Sequence, residues 1–225
     1  MTITYEQGYI DTDSTFANNS DHLVPSQKAV KTAIDNLSST QTYMFANTSS
    51  DISTYYDAVV VSDYTTGTLG DILTTGVSTT PTLLGVFATE LGYPGITSIP
   101  VGTITVHYDT EKVAGSNNYY TYAEIYTRTS GGTETLLATT DVSNSSAQNT
   151  QLNITVSAFT STVTTISATD RIVVKVYGVM LSSTASIHLY FDDATSARIQ
   201  LPQPLPISGS GLTQAQVLAR LSIGF

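Results

Sequence analysis

Between Tyr55 and Leu201 apolar and polar side chains alternate with a period of two, and this pattern constrains the fold more than any other feature of the chain. Ile104, Val106 and Tyr108 alternate with Thr103, Thr105 and His107. Leu152, Ile154 and Val156 alternate with Asn153, Thr155 and Ser157, and Ile187, Leu189 and Phe191 with His188 and Tyr190. Successive side chains of a strand point to opposite faces, so these segments read as strands with one face buried. Arg171–Leu181 is apolar on both faces except at Arg171, Lys175 and Gly178, which predicts a central strand. Tyr119–Thr129 and Thr133–Thr140 flank Gly131-Gly132, and glycine accepts positive φ at both central positions of a hairpin turn. Ala58–Val61 and Leu83–Thr89 add shorter strands. No internal repeat is visible, which disfavours a β-helix or a propeller. The expectation is a mainly β protein, an antiparallel jelly-roll-like β-sandwich over residues 55–201.

Two other regions flank it. Residues 1–54 are polar and contain one helical pattern, 25–37, opened by Pro25, where the missing N–H costs nothing. Val30, Ala33, Ile34 and Leu37 fall on one face of it. A helix of roughly 13 residues is marginal alone in water, so its apolar stripe needs a partner, either its own β-domain or copies of itself. Residues 202–225 begin as an extended arm, because Pro202, Pro204 and Pro206 stiffen the chain. After Gly209-Ser210-Gly211 a short helix is predicted, with Thr213 as N-cap and Val217, Leu218 and Leu221 as its apolar side, and Phe225 ends the chain. Those four apolar residues are the expected docking elements of the arm, onto its own subunit or onto a neighbour.

Charge and composition remove several functions. Eight Lys and Arg against 18 Asp and Glu give a net charge of −10, and the cations are scattered, so nucleic acid is not an expected partner. Charged residues are only 12% of the chain, with Thr, Ser and Asn in their place, a surface suited to packing against copies of itself. Cysteine is absent, so stability does not rest on disulfides. Met1–Tyr9 lacks the cationic and apolar regions of a signal peptide, and no apolar run is long enough to cross a bilayer as a helix, so no membrane partner is expected.

The sequence points to no catalytic residue, metal site or cofactor. His107 and His188 sit on the polar faces of predicted strands, His22 precedes the helix, and Gly209-Ser210-Gly211 lies in a linker rather than a nucleophile elbow. Asp192-Asp193 read as a strand end, and Asp109 and Glu111 can share a face without forming a coherent acid pair. Tyrosine is the more informative residue, with 14 copies and no tryptophan. Tyr120, Tyr122 and Tyr126 share one strand face with Glu124, while Ala123 and Ile125 take the other. Tyrosine combines an apolar face with a hydroxyl, so this cluster fits a subunit interface or core, or a receptor surface.

Asp13-Ser14-Thr15-Phe16-Ala17-Asn18-Asn19-Ser20-Asp21 followed by Leu23-Val24-Pro25-Ser26-Gln27-Lys28-Ala29-Val30-Lys31 resembles a segment of many tailed-bacteriophage fibre proteins, where a loop leads into a short helix near the three-fold axis. Thr129–Leu136, Thr169–Tyr177 and Leu189–Asp193 resemble a β-domain of phage virion and fibre proteins. The resemblance implies a homotrimer, attachment to a phage capsid or tail, a place in the virion after assembly in the host bacterial cytoplasm, and contact with host cell-surface glycan. It supplies no catalytic residue. A head or tail fibre is the expectation; a capsid decoration or tail adaptor protein with no host contact is the alternative, and a glycan depolymerase is the weaker third reading.

Overall fold

The computed structural model describes residues 40–113, 117–147, 149–192 and 197–202, together with two short N-terminal strands. These are β1 (Ile10–Asp11) and β2 (Val24–Pro25), which pair in parallel. Pro25, expected to open a helix, is thus part of β2. The remainder of the expected helix, with Val30, Ala33, Ile34 and Leu37, lies outside the described residues, as do Val217, Leu218, Leu221 and Phe225 of the C-terminal arm. The chain divides into two units, residues 1–39 with 203–225, and residues 40–202.

The second unit is built from strands. They are β3 (Thr40–Ser49), β4 (Tyr56–Val60), β5 (Gly70–Val77), β6 (Thr82–Thr89), β7 (Ser98–Ile99), β8 (Gly102–Lys112), β9 (Tyr119–Arg128), β10 (Glu134–Thr139), β11 (Leu152–Thr160), β12 (Thr164–Thr165), β13 (Arg171–Met180), β14 (Ala185–Phe191) and β15 (Arg198–Pro202). Strands β7 and β12 form a separate pair, and eleven others join one sheet in the order β10-β9-β13-β6-β4-β3-β15-β8-β14-β5, with β11 on β8. No helix among the described residues is long and apolar enough to cross a membrane.

Three expectations need correction. The sheet starts at Thr40 rather than Tyr55, because Tyr43 and Phe45 point into the core as one side of β3. The sheet is mixed rather than wholly antiparallel, since β4 and β6 run parallel. The chain leaves β4 to pair β5 with β14 and returns as β6, which therefore comes back in the same direction. The β9–β10 turn uses only Gly132 at positive φ (90°), with Gly132 N–H donating to the Thr129 carbonyl, so Gly131 is not the second left-handed residue of a two-residue turn.

The alternating strands bury their apolar sides in one core. Ala123 and Ile125 of β9, Ile172, Val174 and Val176 of β13, and Leu84 and Phe87 of β6 share it with Ile104, Val106 and Tyr108 of β8 and Ile187, Leu189 and Phe191 of β14. Phe45 and Phe87 stack with centroids 4.0 Å apart, and Phe191 meets Phe87 edge-on at 4.9 Å. Buried hydroxyls pair across the core, Tyr108 Oη to Thr121 Oγ1 at 3.0 Å and Thr110 Oγ1 to Tyr119 Oη at 3.1 Å. Strand β13 is central, pairing along its length with β9 and β6. Gly70 lies where a Cβ would stand 2.5 Å from the Phe191 ring, so the core ring itself demands glycine there. What remains for function is the set of side chains on the outward faces.

Candidate interaction face

Inward alternation of Tyr119, Thr121, Ala123 and Ile125 leaves Tyr120, Tyr122, Glu124 and Tyr126 on the outer side of β9, half-buried. Register with β13 places Tyr177 beside Tyr122 and Lys175 beside Glu124. The Tyr122 and Tyr177 rings stack, with centroids 5.2 Å apart and planes 15° apart. Tyr126 donates its hydroxyl proton to Glu124 Oε2 at 2.6 Å.

Lys175 does not pair with its cross-strand neighbour. Its Nζ lies 4.4 Å from the Tyr126 ring centroid and 2.7 Å from Glu134 Oε2 of β10. Arg128 Nη1 reaches Glu134 Oε1 at 3.0 Å, and Tyr55 donates to the same oxygen at 2.7 Å. Val86, Ala88 and Val173 form a second small core beneath Ile52, Tyr55 and Tyr126. At the end of this face the guanidinium of Arg171 forks onto the carboxylate of Asp51.

The ionisable groups follow from these contacts. Burial pushes the Tyr177 hydroxyl up to about 12, aided by the Glu124 charge. The hydrogen bond to Glu124, then burial, raises Tyr126, and burial followed by Glu124 raises Tyr122. Burial pushes Glu134 up, but hydrogen bonds from Lys175 and Tyr55 outweigh it and hold the carboxyl below its usual range. The Asp51 carboxyl is lowered to about 2 by its bond to Arg171. Three carboxylates, Asp51, Glu124 and Glu134, thus stand with three cations, Arg128, Arg171 and Lys175. The face is aromatic and internally hydrogen-bonded, and Asp57 of β4, beside Ala88 on the same side, adds a further carboxylate.

The sequence grouped Tyr120, Tyr122 and Tyr126 but not Tyr177, Glu134, Lys175 or Tyr55. Lys175 carried a signal, as a cation interrupting an apolar run. Its partner depended on cross-strand register.

The outward side of β8, β11, β14 and β15 is different. His107 Nδ1 lies 2.9 Å from Thr155 Oγ1, and its Nε2 lies 3.2 Å from Gln200 Oε1. Burial lowers the His107 pKa, and the Arg198 charge adds to this. Gln151 and Asn153 both donate to Asp109, at 2.7 and 2.8 Å. Tyr190 donates to Glu111 at 2.9 Å, and burial first, then that bond, pushes its hydroxyl up to about 12. His188 Nδ1 lies 2.6 Å from Asp71 Oδ1, and the ring stacks on Tyr190 at 5.4 Å. Buried Asp192, just past the end of β14, accepts from Asn47 N–H, Tyr64 Oη and Gly67 N–H. No group of three or more His, Asp or Glu among the described residues is placed to hold a metal ion.

No family model and no curated protein matches the sequence. Solved structures do. A CocE/NonD family hydrolase from Staphylococcus aureus is 8% identical with a TM-score of 0.53, over 74% of this chain and 37% of that one. A second structure of a hydrolase of that name and organism gives a TM-score of 0.51 at 8% identity over the same shares. An aminopeptidase from a marine sediment archaeon follows with a TM-score of 0.46 and 9% identity, over 72% of this chain and 36% of that one. The chain therefore spans little more than a third of the hydrolase it matches, and the likeness is one of fold.

Proposed function

We propose that the protein is a structural subunit of a tailed-phage virion, a homotrimeric head or tail fibre or spike that adheres to the host surface. The observation that carries the reading is the segment from Asp13 to Lys31, with its loop, its proline and its apolar helix face in the fibre-protein order. The mainly β unit, one large mixed sheet around one core, fits that reading, in which it is a jelly-roll-like sandwich. In the trimer, the segment that follows β2 packs about the three-fold axis through Val30, Ala33, Ile34 and Leu37. Residues 202–225 dock through Val217, Leu218, Leu221 and Phe225 on a neighbouring subunit or on capsid or tail proteins.

The tyrosine face adds a physical reason for self-association. On a chain of net charge −10, copies repel one another over most of their surface. A face on which three acids are matched by three bases, with Asp57 in excess, is where two copies approach at low electrostatic cost, and Tyr120, Tyr122 and Tyr177 offer broad contact area there. We read the role as structural rather than catalytic, and the reading is supported by the neighbours that His107, His188, Asp109, Glu111 and Asp192 each bond.

Light scattering of the purified chain tests the assembly and should return three times the 23.9 kDa monomer mass. Ile34→Asp should shift it toward monomer, because assembly would bury a charge in an apolar seam. A wild-type monomer at micromolar concentration, or phage particles in which specific antibodies find no copy of the chain, overturns the reading.

A further inference from the structure

Six strands begin or end on one rim of the large sheet. Strands β4 and β6 run parallel, so both leave the sheet on the same side, into Val61 and Leu91. Strand β3 starts there, since Tyr43 pairs with Val60, and β15 ends beside it with Pro202 against Thr40. Strand β8 starts there at Gly102, where a Cβ would stand 2.6 Å from Pro202 Cβ. Strand β11 ends on it, with Thr160 against Gly102. The rim therefore runs β11, β8, β15, β3, β4, β6, and the chain enters and leaves the sheet at its middle, at Thr40 and Pro202.

The two flanks of that passage differ. On the β11 side the ladder continues past Gly102 as the β7–β12 pair, with Thr164 against Ile99. Val101, Phe159 and Val163 are exposed there, Phe159 by 68%, with Thr103 as its cross-strand neighbour. Residues 96–106 and 154–169 contain no Asp, Glu, Lys or Arg. On the β4 and β6 side Val61 and Leu91 are exposed, and Asp63 and Glu90 stand close to them in the chain. A large aromatic ring among small neutral side chains is the kind of anchor from which interfaces draw most of their energy.

The charges select the occupant. Two β4–β6 flanks would set Asp63 and Glu90 against their own copies, whereas the β11 flank carries no charge to repel them. Two β11 flanks would close at two copies and leave Val61 and Leu91 in water. Unlike flanks of two copies make a heterologous contact, and such a contact can close as a ring. Distance fits as well. In the trimer read above Leu37 stands on the three-fold seam, and the three residues from it to Thr40 span at most about 11 Å. Adjacent strands lie about 4.8 Å apart, so both flanks stand within about three strand spacings of Thr40.

We infer that this rim is a contact between copies of the chain, in which Phe159, Val101 and Val163 of one copy pack on Val61 and Leu91 of the next around the three-fold axis. The inference rests on the trimer reading above, and the contact is separate from the tyrosine face of β9 and β13.

The chain has no cysteine, so an engineered thiol is unique in it. Full-length Val163→Cys and Leu91→Cys chains are co-expressed, and the assembly is treated with a short bismaleimide. A covalent dimer should appear on a denaturing gel, and neither variant alone should give one. Val101→Cys with Val61→Cys serves if either of the first pair fails to fold. Phe159→Glu, at its exposed position, should raise the concentration at which trimers dissociate by roughly tenfold or more, at an unchanged circular dichroism spectrum. Light scattering of the same samples separates the outcomes. Trimers that give no mixed dimer, or that ignore Phe159→Glu, remove the rim contact and leave the fibre reading. A covalent dimer from either variant alone shows like flanks in contact and overturns the inference. Monomers throughout remove this contact and the trimer together.

Discussion

The outward sides of β9 and β13 and of β8 and β14 arise from the same alternation, yet they solve the problem of half-burial differently. On the tyrosine face one network runs from Tyr177 through Glu124 and Tyr126 to Lys175, Glu134, Arg128 and Tyr55. On the polar face the contacts are small separate sets: His107 with Thr155 and Gln200, Asp109 with two amides, Tyr190 with Glu111, His188 with Asp71. The first face matches most of its acids with bases; the second sets Asp71, Asp109 and Glu111 against Arg198. A shared network makes each member depend on the others, whereas separate pairs fail one at a time. That difference suits one face to fixed contact and leaves the other open to exchange with solvent.

Truncating one carboxylate on each face tests the contrast most strongly. Glu134→Ala strips the partner from Lys175, Arg128 and Tyr55 at once, and the carboxylate is only 15% exposed. The loss should be about 2 kcal/mol, below the cost of breaking a fully buried pair because water still reaches the site. Asp71→Ala, at a carboxylate 43% exposed, should cost under about 1 kcal/mol. Urea unfolding measures both, and equal losses would mean that the tyrosine face is no network.

Alkali should separate the faces next. Tyr177 and Tyr190 are both pushed up to about 12, and tyrosine in an unfolded chain ionises near about 10. A raised folded pKa contributes stability that is whole below the unfolded value and is lost as pH rises through the folded one, so unfolding should set in between those limits. Glu124→Gln removes a charge that raises Tyr177, Tyr126 and Tyr122, and the tyrosinate absorbance of that set should appear at lower pH. Tyr190 answers to Glu111 and should not move. A Tyr190 that follows Glu124→Gln would join the two faces electrically.

Much of this was legible in the residues. The alternation located β8, β11 and β14, the apolar run located β13, and the spacing of Tyr120, Tyr122 and Tyr126 placed them on one face. Strand β3 was missed although Tyr43 and Phe45 alternate with Thr42 and Met44, because the surrounding Ser, Thr and Asn made residues 1–54 read as one polar segment. Strand β5 was missed because Gly70 and Gly76 look like breakers, while the first is there to admit the Phe191 ring. Glu134 could not be singled out from its neighbours, since its three partners come from three separate parts of the chain.

The smallest effect belongs to His107 and to mild acid. Its folded pKa is depressed, by burial and then by Arg198, below the ordinary histidine value of about 6.5. A depressed folded pKa contributes stability that is present above the unfolded value and is lost as pH falls through the folded one. The polar face should therefore soften slightly below about pH 6.5, in a window where the carboxylates remain charged and the tyrosines neutral. His107 faces Thr155 on β11 and Gln200 and Arg198 on β15, so protonation sets a second positive charge beside the guanidinium. Arg198→Gln should raise the imidazole pKa, read from the ring-proton shifts in an NMR titration, and His107→Gln should erase the slope of stability against pH in that range. The Tyr122 and Tyr126 ring signals serve as the control and should stay still throughout. Movement there, or an imidazole pKa indifferent to Arg198→Gln, would show that the two faces share their electrostatics after all.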